Sequence, residues 1–124
     1  MDYSIHWEEN GATVCFFGEF NNKVNDSANY EFYTNPKSDN VKYIIWELSK
    51  VEKVNFKSFD TIFPAIRDKI SNHRLPKIKM GFVTSDEELE LLCRKYILES
   101  IEMGSTWEFK ISDCYQAIKL WVDS

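Results

Sequence analysis

The feature of this sequence that most constrains its fold is a run near the middle of the chain that is apolar on both faces of a β-strand. The run is YIIWEL, residues 43–48, in which Glu47 is the only charged residue. A strand with one solvated face alternates apolar and polar residues, whereas a strand that is apolar on both sides is typical of the centre of a sheet. The run therefore predicts a central strand.

Four further segments have the pattern of β-strands. Residues 3–8, YSIHWE, alternate between apolar and polar side chains, and the Asn10-Gly11 pair that follows is a strong hairpin signal. The run ATVCFFGEF, residues 12–20, is apolar on both faces and predicts a second central strand. KIKMGFVT, residues 77–84, predicts a fourth strand, and TWEFKIS, residues 106–112, alternates as an edge strand does.

Four segments that follow these strands have helical patterns. The first helix is expected to run to about residue 33, because the Asn35-Pro36 pair disfavours helix. The second is expected to begin between residues 58 and 61 and to run to about residue 73, since Pro64 fits only near the start of a helix. Candidate N-caps precede the first, third and fourth helices: Asn21 or Asn22, Ser85 or Asp86, and Ser112 or Asp113.

Apolar stripes at helical spacing predict the buried faces of the last two helices. The stripe of the third helix, which Gly104 ends, is expected to be Leu89, Leu92, Cys93, Tyr96, Ile97 and Ile101. The stripe of the last helix is expected to be Cys114, Ala117, Ile118, Trp121 and Val122. Since the cysteines lie on apolar faces, Cys15 and Cys93 are expected to be buried and inert.

The predicted order of elements is β-β-α-β-α-β-α-β-α in a single domain, residues 1–124. Strands that alternate with helices pair in parallel through right-handed crossovers. The opening hairpin adds one antiparallel strand. The sequence therefore predicts an α/β fold, a five-stranded mixed sheet with an N-terminal antiparallel hairpin and helices packed on the sheet.

Charge and composition narrow the classes of partner. The net charge of −5 disfavours nucleic acid, because phosphate binding requires a basic surface. No run approaches the ~20 apolar residues of a membrane span. The opening sequence MDYSIHWEEN lacks the basic start and the apolar run of a signal peptide. We therefore expect a cytoplasmic protein with no nucleic-acid partner.

Residue types that carry catalysis or bind metals form no recognisable constellation. The three cysteines are scattered and show no CxxC spacing, and the four glycines are all apart, so no phosphate-binding loop is expected. His6 lies on the polar face of an expected edge strand and His73 at the end of an expected helix, where a surface or structural role explains each of them. We expect no enzyme activity, no catalytic residue, no cofactor and no metal.

Several segments carry a resemblance to a known family. These are MDYSIHWEENG, GEF, YIIWELSKVEKV, FVTSDEELELL and SDCYQAIKLWV, which together extend over nearly the whole chain. They resemble SpoIIAA-like proteins of the STAS superfamily (sulphate transporter and anti-sigma-factor antagonist), in particular an uncharacterised bacterial branch related to both STAS and CRAL-TRIO lipid-binding domains. The resemblance implies a SpoIIAA-like fold and a regulatory or ligand-sensing role in the bacterial cytosol.

The serine positions of the phosphoserine switch in anti-sigma-factor antagonists are occupied in this chain by residues without a hydroxyl group. In those proteins a strand that ends in Leu-Ser is followed by Asp-Ser-Ser-Gly at a helix start, where a phosphate is stabilised. Counted from Leu48-Ser49, the two serine positions fall on Phe56 and Lys57, and the glycine position on Ser58. We therefore expect no phosphoserine at this junction and a capping role for Ser58.

A surplus of apolar residues lies off the expected helical stripes. Because a helix turns about 100° per residue, Leu91 cannot point where Leu92 points. This surplus could belong to a wide core, a partner or homodimer surface, a cleft for a hydrophobic ligand, or a membrane-touching face. The candidate residues for a ligand or partner surface are Tyr30, Tyr33, Phe56, Phe59, Leu91 and Leu98.

The leading hypothesis is a non-enzymatic STAS-like binding or regulatory module that acts through a protein partner or an apolar ligand. The alternative is a carrier or sensor of a lipid-like hydrophobic molecule, by the lipid-binding side of the resemblance. Membrane docking requires lysines around the apolar patch, and Lys23, Lys57 and Lys95 are too few and too scattered. Self-association or closure around a ligand therefore ranks above membrane contact.

Overall fold

The structure is a computed structural model that describes residues 2–56, Leu75 and residues 77–124. The helix expected over residues 58–73, with Ser58 and His73, lies outside the described residues. The described strands are β1 Tyr3–Trp7, β2 Gly11–Phe16, β3 Gly18–Asn21, β4 Tyr43–Glu47, β5 Val51–Asn55, β6 Lys79–Val83 and β7 Glu108–Ser112. The described helices are α1 Asn22–Thr34, a 3-10 helix Pro36–Asn40, α2 Glu87–Glu102 and α3 Tyr115–Val122.

Five strands form the expected mixed sheet, in the order β1-β2-β4-β6-β7. The hairpin of β1 and β2 is antiparallel, with Trp7 opposite Ala12, and the other three pairings are parallel. Every residue of β4 is buried, from Tyr43 to Glu47. The prediction that YIIWEL is a central strand is therefore confirmed, and so are the edge positions of β1 and β7.

A second, two-stranded parallel sheet of β3 and β5 was not predicted. The sequence pattern placed residues 12–20 in one strand and a polar turn after Leu48. Gly18, the first residue of β3, adopts φ +63, a left-handed conformation that glycine takes readily and that breaks the run of extended residues after β2. In β5 only Val51 and Val54 are half-buried, so the strand lacks the alternation that would identify it.

The predicted caps are confirmed for two helices and wrong for the third. The side chains of Asn21 and Asp86 accept hydrogen bonds from the backbone N–H groups of Val24 at 2.9 Å and Leu89 at 3.0 Å. The N-cap of α3 is Cys114, which forms no side-chain capping bond. Ser112 is the last residue of β7 and lies two residues before the N-cap position, so it does not cap α3.

The helices pack on both faces of the large sheet. Alternate strand residues such as Val14, Ile44 and Met80 face the main core, which α1 and α2 cover. The opposite face carries a smaller cluster in which Ile45 and Val83 contact Ile118 and Val122 of α3. Among the described residues, the short helix α3 therefore covers most of what is buried on the second face.

Some residues of the predicted stripes are more exposed than expected. Leu89, Leu92, Cys93 and Tyr96 are buried, but Ile101 is 55% exposed. Ile101 lies 12 residues after Leu89, which places it about 120° further round the helix. Cys114 is exposed because it precedes α3, and Trp121 and Cys15 are only half-buried.

The contact between α3 and the sheet generates a first prediction. A Cβ added at Gly81 would collide with Cγ2 of Ile118. Gly81→Ala should therefore lower the free energy of unfolding by about 1–3 kcal/mol, because overpacking forces the helix away from the strand. The measurement is urea unfolding followed by far-UV circular dichroism.

Ile118→Ala removes the colliding atom and provides the control. The double variant Gly81→Ala/Ile118→Ala should lose less stability than the sum of the two single variants. If the two effects add within about 0.5 kcal/mol, the two positions are not in contact and the packing of α3 described here is wrong.

Candidate functional site

An apolar cleft lies between the main face of the large sheet, α1 and α2. It contains about 550 Å³ of space that no atom occupies, a figure that includes the solvent at its open mouth. The described residues that line it are Phe16, Phe20, Asn25, Asn29, Trp46, Leu48, Phe56, Phe82, Leu89, Leu92, Cys93 and Tyr96.

The floor of the cleft is a layer of aromatic rings. Trp46 and Phe82 are paired across β4 and β6 in register, so their side chains point to the same face. The ring of Phe16 stacks on Trp46 with centroids 5.8 Å apart and meets Phe20 edge-on at 5.1 Å. Phe20 in turn stacks on Phe56 at 5.3 Å, and the contact between Phe16 and Phe20 links the large sheet to the small one. These contacts give the floor a fixed shape.

The wall on the α2 side comes from one helical face. Leu89, Leu92, Cys93 and Tyr96 are spaced so that all four point to the sheet. Tyr96 meets Phe82 edge-on with ring centroids 5.8 Å apart. Burial raises the pKa of the Cys93 thiol to about 12, so this sulfur is a neutral, apolar part of the wall and not a nucleophile.

The wall on the α1 side contains two asparagines one helical turn apart. Asn25 is 9% exposed and Asn29 is 3% exposed. The Asn29 amide nitrogen donates to the backbone oxygen of Asn25 at 2.8 Å and to its side-chain Oδ1 at 3.2 Å. The two amides therefore form a small polar area in an otherwise apolar wall.

These asparagines were missed by the sequence analysis, although a signal exists. They share the buried stripe of α1 with Val24, Ala28 and Phe32. Asparagine is a poor helix former and is rarely buried, so two of them at i, i+4 on an apolar stripe are unusual. That pattern indicates that polar groups are needed at this place in the core.

The sequence-predicted surface residues lie in different places. Phe56 is buried and lines the cleft, and Tyr33 is half-buried against Phe32, with ring centroids 4.9 Å apart. Three others are exposed: Tyr30 at 73%, Leu91 at 68% and Leu98 at 60%. Phe59 lies outside the described residues. Of the five candidates within the described residues, the cleft contains one, and α2 carries two on its outer face.

A second cluster of chemically active groups lies on the opposite face of the sheet. The Tyr43 hydroxyl donates to Glu8 Oε1 at 2.7 Å, and Lys119 Nζ donates to the Tyr43 oxygen at 2.7 Å and to Glu8 Oε1 at 3.2 Å. Lys119 also lies over the Tyr43 ring, 4.6 Å from its centroid. The cluster ties α3 to the end of β1 and the start of β4.

The pKa shifts in this cluster favour an ion pair over acid–base chemistry. Burial alone would lower the pKa of Lys119, but its hydrogen bonds to Tyr43 and Glu8 outweigh burial and raise it. Burial alone would raise the pKa of Glu8, but its hydrogen bonds to Tyr43 and Lys119 outweigh burial and lower it. The pKa of Tyr43 is raised, by burial and by Glu8. A tyrosine activated as a base needs a lowered pKa, so these shifts do not favour Tyr43 as a base.

The described residues contain neither a metal-binding cluster nor a membrane-spanning helix. In residues 2–56, 75 and 77–124, no group of three or more His, Cys, Asp or Glu side chains is arranged to hold a metal ion. Within the same residues, no helix has the length and apolar character needed to cross a membrane.

Comparison with known proteins identifies the fold. No family model matches this chain, and no curated protein matches it. A similar solved structure is that of an uncharacterised protein of the DUF3478 family with a SpoIIAA-like fold from Shewanella loihica PV-4. The similarity covers 97% of this chain and 91% of that chain, with a TM-score of 0.59 and 7% identity. The chain has a SpoIIAA-like fold, as the sequence resemblance implied, and identity this low shows the fold alone.

The cluster on the second face generates a prediction about pH. Lys119→Met should lower the free energy of unfolding by about 1 kcal/mol at neutral pH, because it removes a partly buried cation from Glu8 and Tyr43. Since the folded pKa of Glu8 is lowered, its contribution is present above the unfolded pKa and is lost as the pH falls through the folded pKa. The difference between parent and variant should therefore shrink in acid, as measured by urea unfolding across the acid range.

Lys53→Met is the matched control, because Lys53 is 73% exposed and its pair with Glu19 is long, at 3.7 Å. It should change stability by less than about 0.5 kcal/mol. If Lys119→Met behaves like this control at neutral pH, or if its effect is the same at every pH, the Glu8 contact does not stabilise the fold.

Proposed function

We propose that this chain is a non-enzymatic STAS-like binding module that holds an apolar small molecule in the cleft between the large sheet, α1 and α2. The observation that carries the proposal is the cleft itself. Its floor and walls are buried core residues, so the ligand would be surrounded by the same side chains that hold the fold together. A concave, mostly apolar site with a few polar groups is typical of small-molecule binding.

The position of Phe56 supports a module that is controlled by ligand binding and not by phosphorylation. Phe56 stands where the resemblance to anti-sigma-factor antagonists places an acceptor serine. Its side chain is 7% exposed, stacks on Phe20 and lines the cleft. A hydroxyl for phosphorylation is absent there, and the residue contributes to the proposed ligand site instead. We therefore propose that the module responds to occupancy of the cleft and not to a phosphoserine.

The chemistry of the described polar groups supports a binding role over catalysis. The Cys93 thiol in the cleft is neutral, and Lys119 and Tyr43 on the second face have raised pKa values. None of these shifts activates a nucleophile or a base. The role as carrier or sensor of a lipid-like molecule is one form of the proposed function, in the cytoplasm that the sequence analysis indicated.

A protein partner on the outer face of α2 is the second candidate. Leu91, Leu98 and Ile101 are 68%, 60% and 55% exposed on this helix. Arg94 and Glu90 form an ion pair on the same helix at 3.0 Å, so the apolar side chains are bordered by charge. An apolar stripe within a charged surface is a common docking feature.

Cys93→Phe tests the cleft. The larger side chain should occupy part of the space and weaken binding of the neutral fluorescent dye N-phenyl-1-naphthylamine by about tenfold or more, since about 1.4 kcal/mol of lost contact gives a factor of ten. Dye titration followed by fluorescence measures the change, and Cys93→Met is a smaller substitution in case the first variant unfolds.

Leu91→Ser is the matched control, because Leu91 lies close to Cys93 on α2 but points to solvent. It should leave dye binding unchanged. If the parent protein fails to bind the dye or any amphiphile offered to it, or if folded Cys93 variants bind as the parent does, the cleft is not the ligand site.

The double variant Leu91→Glu/Leu98→Glu tests the partner surface. Both residues are exposed, so the variant should fold with stability within about 0.5 kcal/mol of the parent. If α2 mediates self-association, the parent should sediment as a dimer in analytical ultracentrifugation and the variant as a monomer, while dye binding stays the same. A parent that is monomeric at every concentration would argue against a homodimer on this face.

A further inference from the structure

The hydrogen bonds of Asn25 and Asn29 fix the orientation of both amides. The Asn29 amide nitrogen must face the backbone oxygen of Asn25, 2.8 Å away, because the opposite orientation would place two oxygens together. The same nitrogen donates to Asn25 Oδ1 at 3.2 Å, which makes that atom the acceptor. The remaining atoms are therefore a donor, Asn25 Nδ2, and an acceptor, Asn29 Oδ1.

These two remaining atoms have no hydrogen-bond partner within the part of the chain that the structure describes. Both atoms are also in contact with open space. Among the described residues, the only side-chain polar atoms that are fully enclosed and have no partner are Thr13 Oγ1 and Ser100 Oγ. Both asparagines line the cleft, and their side chains are more than nine-tenths buried. The open space that the two atoms reach is the cleft.

A buried amide that lacks a partner is costly, and asparagine disfavours the interior of a helix. A small apolar residue at either position would continue the stripe of Val24, Ala28 and Phe32 without these costs. These bonds leave one polar atom of each amide, Asn25 Nδ2 and Asn29 Oδ1, without a partner among the described residues. A polar group of a molecule bound in the cleft would satisfy both atoms.

From this geometry, and on the premise of the proposed function, we infer that the ligand of the cleft is an uncharged amphiphile. Its polar end carries one acceptor and one donor, as a hydroxyl or a primary amide does. The acceptor binds Asn25 Nδ2 and the donor binds Asn29 Oδ1, while the apolar body lies against the aromatic floor.

Charged head groups fit this pair less well. A carboxylate only accepts, so it satisfies Asn25 Nδ2 and places its negative charge against Asn29 Oδ1. An ammonium only donates, so it satisfies Asn29 Oδ1 and faces the positive end of the Asn25 amide. Either ion would also lose its hydration inside a cleft walled by Phe16, Trp46 and Leu89. An uncharged head group avoids both costs.

A panel of ligands with one chain length tests the inference on the unmodified protein. The probes are 1-decanol, decanamide, decanoate and decylamine, each used to displace N-phenyl-1-naphthylamine at neutral pH. The alcohol and the amide should displace the dye at about three- to tenfold lower concentration than the two ions, which corresponds to about one hydrogen bond. Decanoate that binds as tightly as decanol, or more tightly, overturns the inference and leaves the cleft as an apolar site.

Variants of α1 assign the effect to the two amides. Asn29→Leu and Asn25→Leu should weaken binding of decanol by about three- to tenfold, after correction for any change in the affinity of each variant for the dye. Asn22→Leu, at an exposed position in the first turn of the same helix, is the control and should match the parent. Folded variants that bind decanol as the parent does would overturn the role of the pair.

The panel separates this inference from the proposed function. If the dye binds and all four probes displace it equally, the cleft binds apolar molecules and the inference about the head group is wrong. If neither the dye nor any probe binds, the proposed function fails and the inference fails with it. A ranking that favours the alcohol and the amide, and that disappears in Asn29→Leu, supports both.

Discussion

Burial of β4 on both faces is the constraint on which the rest of the structure depends. From Tyr43 to Glu47 every residue is buried, so each face of the sheet needs a cover. Within the described residues the two covers differ: α3 packs on the cluster around Ile45 and Val83, whereas α1 and α2 pack on the other face. The cleft lies between these two described helices and the aromatic residues of the sheet.

Periodicity predicted the large sheet because its signals are local. Alternation in β1, the Asn10-Gly11 pair and the doubly apolar runs are each visible within ten residues. The small sheet was missed because it depends on one backbone angle at Gly18 and on a strand with only two half-buried valines. Ile101 was misplaced because a stripe written as i, i+4 steps drifts round the helix over three turns, and Ser100 occupies the buried position instead.

The cleft could be predicted less well than the fold, for a physical reason. Apolar residues outside the helical stripes were the sequence candidates for a binding surface, and most of the described ones are exposed, as Tyr30 and Leu91 are, while only Phe56 lines the cleft. The cleft is lined by residues within the stripes and strands, such as Trp46 and Leu92, whose pattern is the same in a filled core. Incomplete packing is a property of side chains that meet in three dimensions, so no spacing along the chain shows it. Only Asn25 and Asn29 depart from the core pattern in a way that the sequence makes visible.

Helix α2 belongs to both candidate sites, because one of its faces lines the cleft and its outer face carries the exposed apolar residues. Leu92 and Cys93 point into the cleft, while Leu91 and Leu98 point to solvent from the same helix. A ligand that binds only the folded state stabilises that state in proportion to its occupancy. Under the proposed function, a ligand held against Leu92 and Cys93 would stabilise the folded state that includes α2, the helix whose outer apolar side chains are the second candidate surface. Since Phe56 has no hydroxyl, we propose that occupancy of the cleft takes the place that a phosphate holds in anti-sigma-factor antagonists.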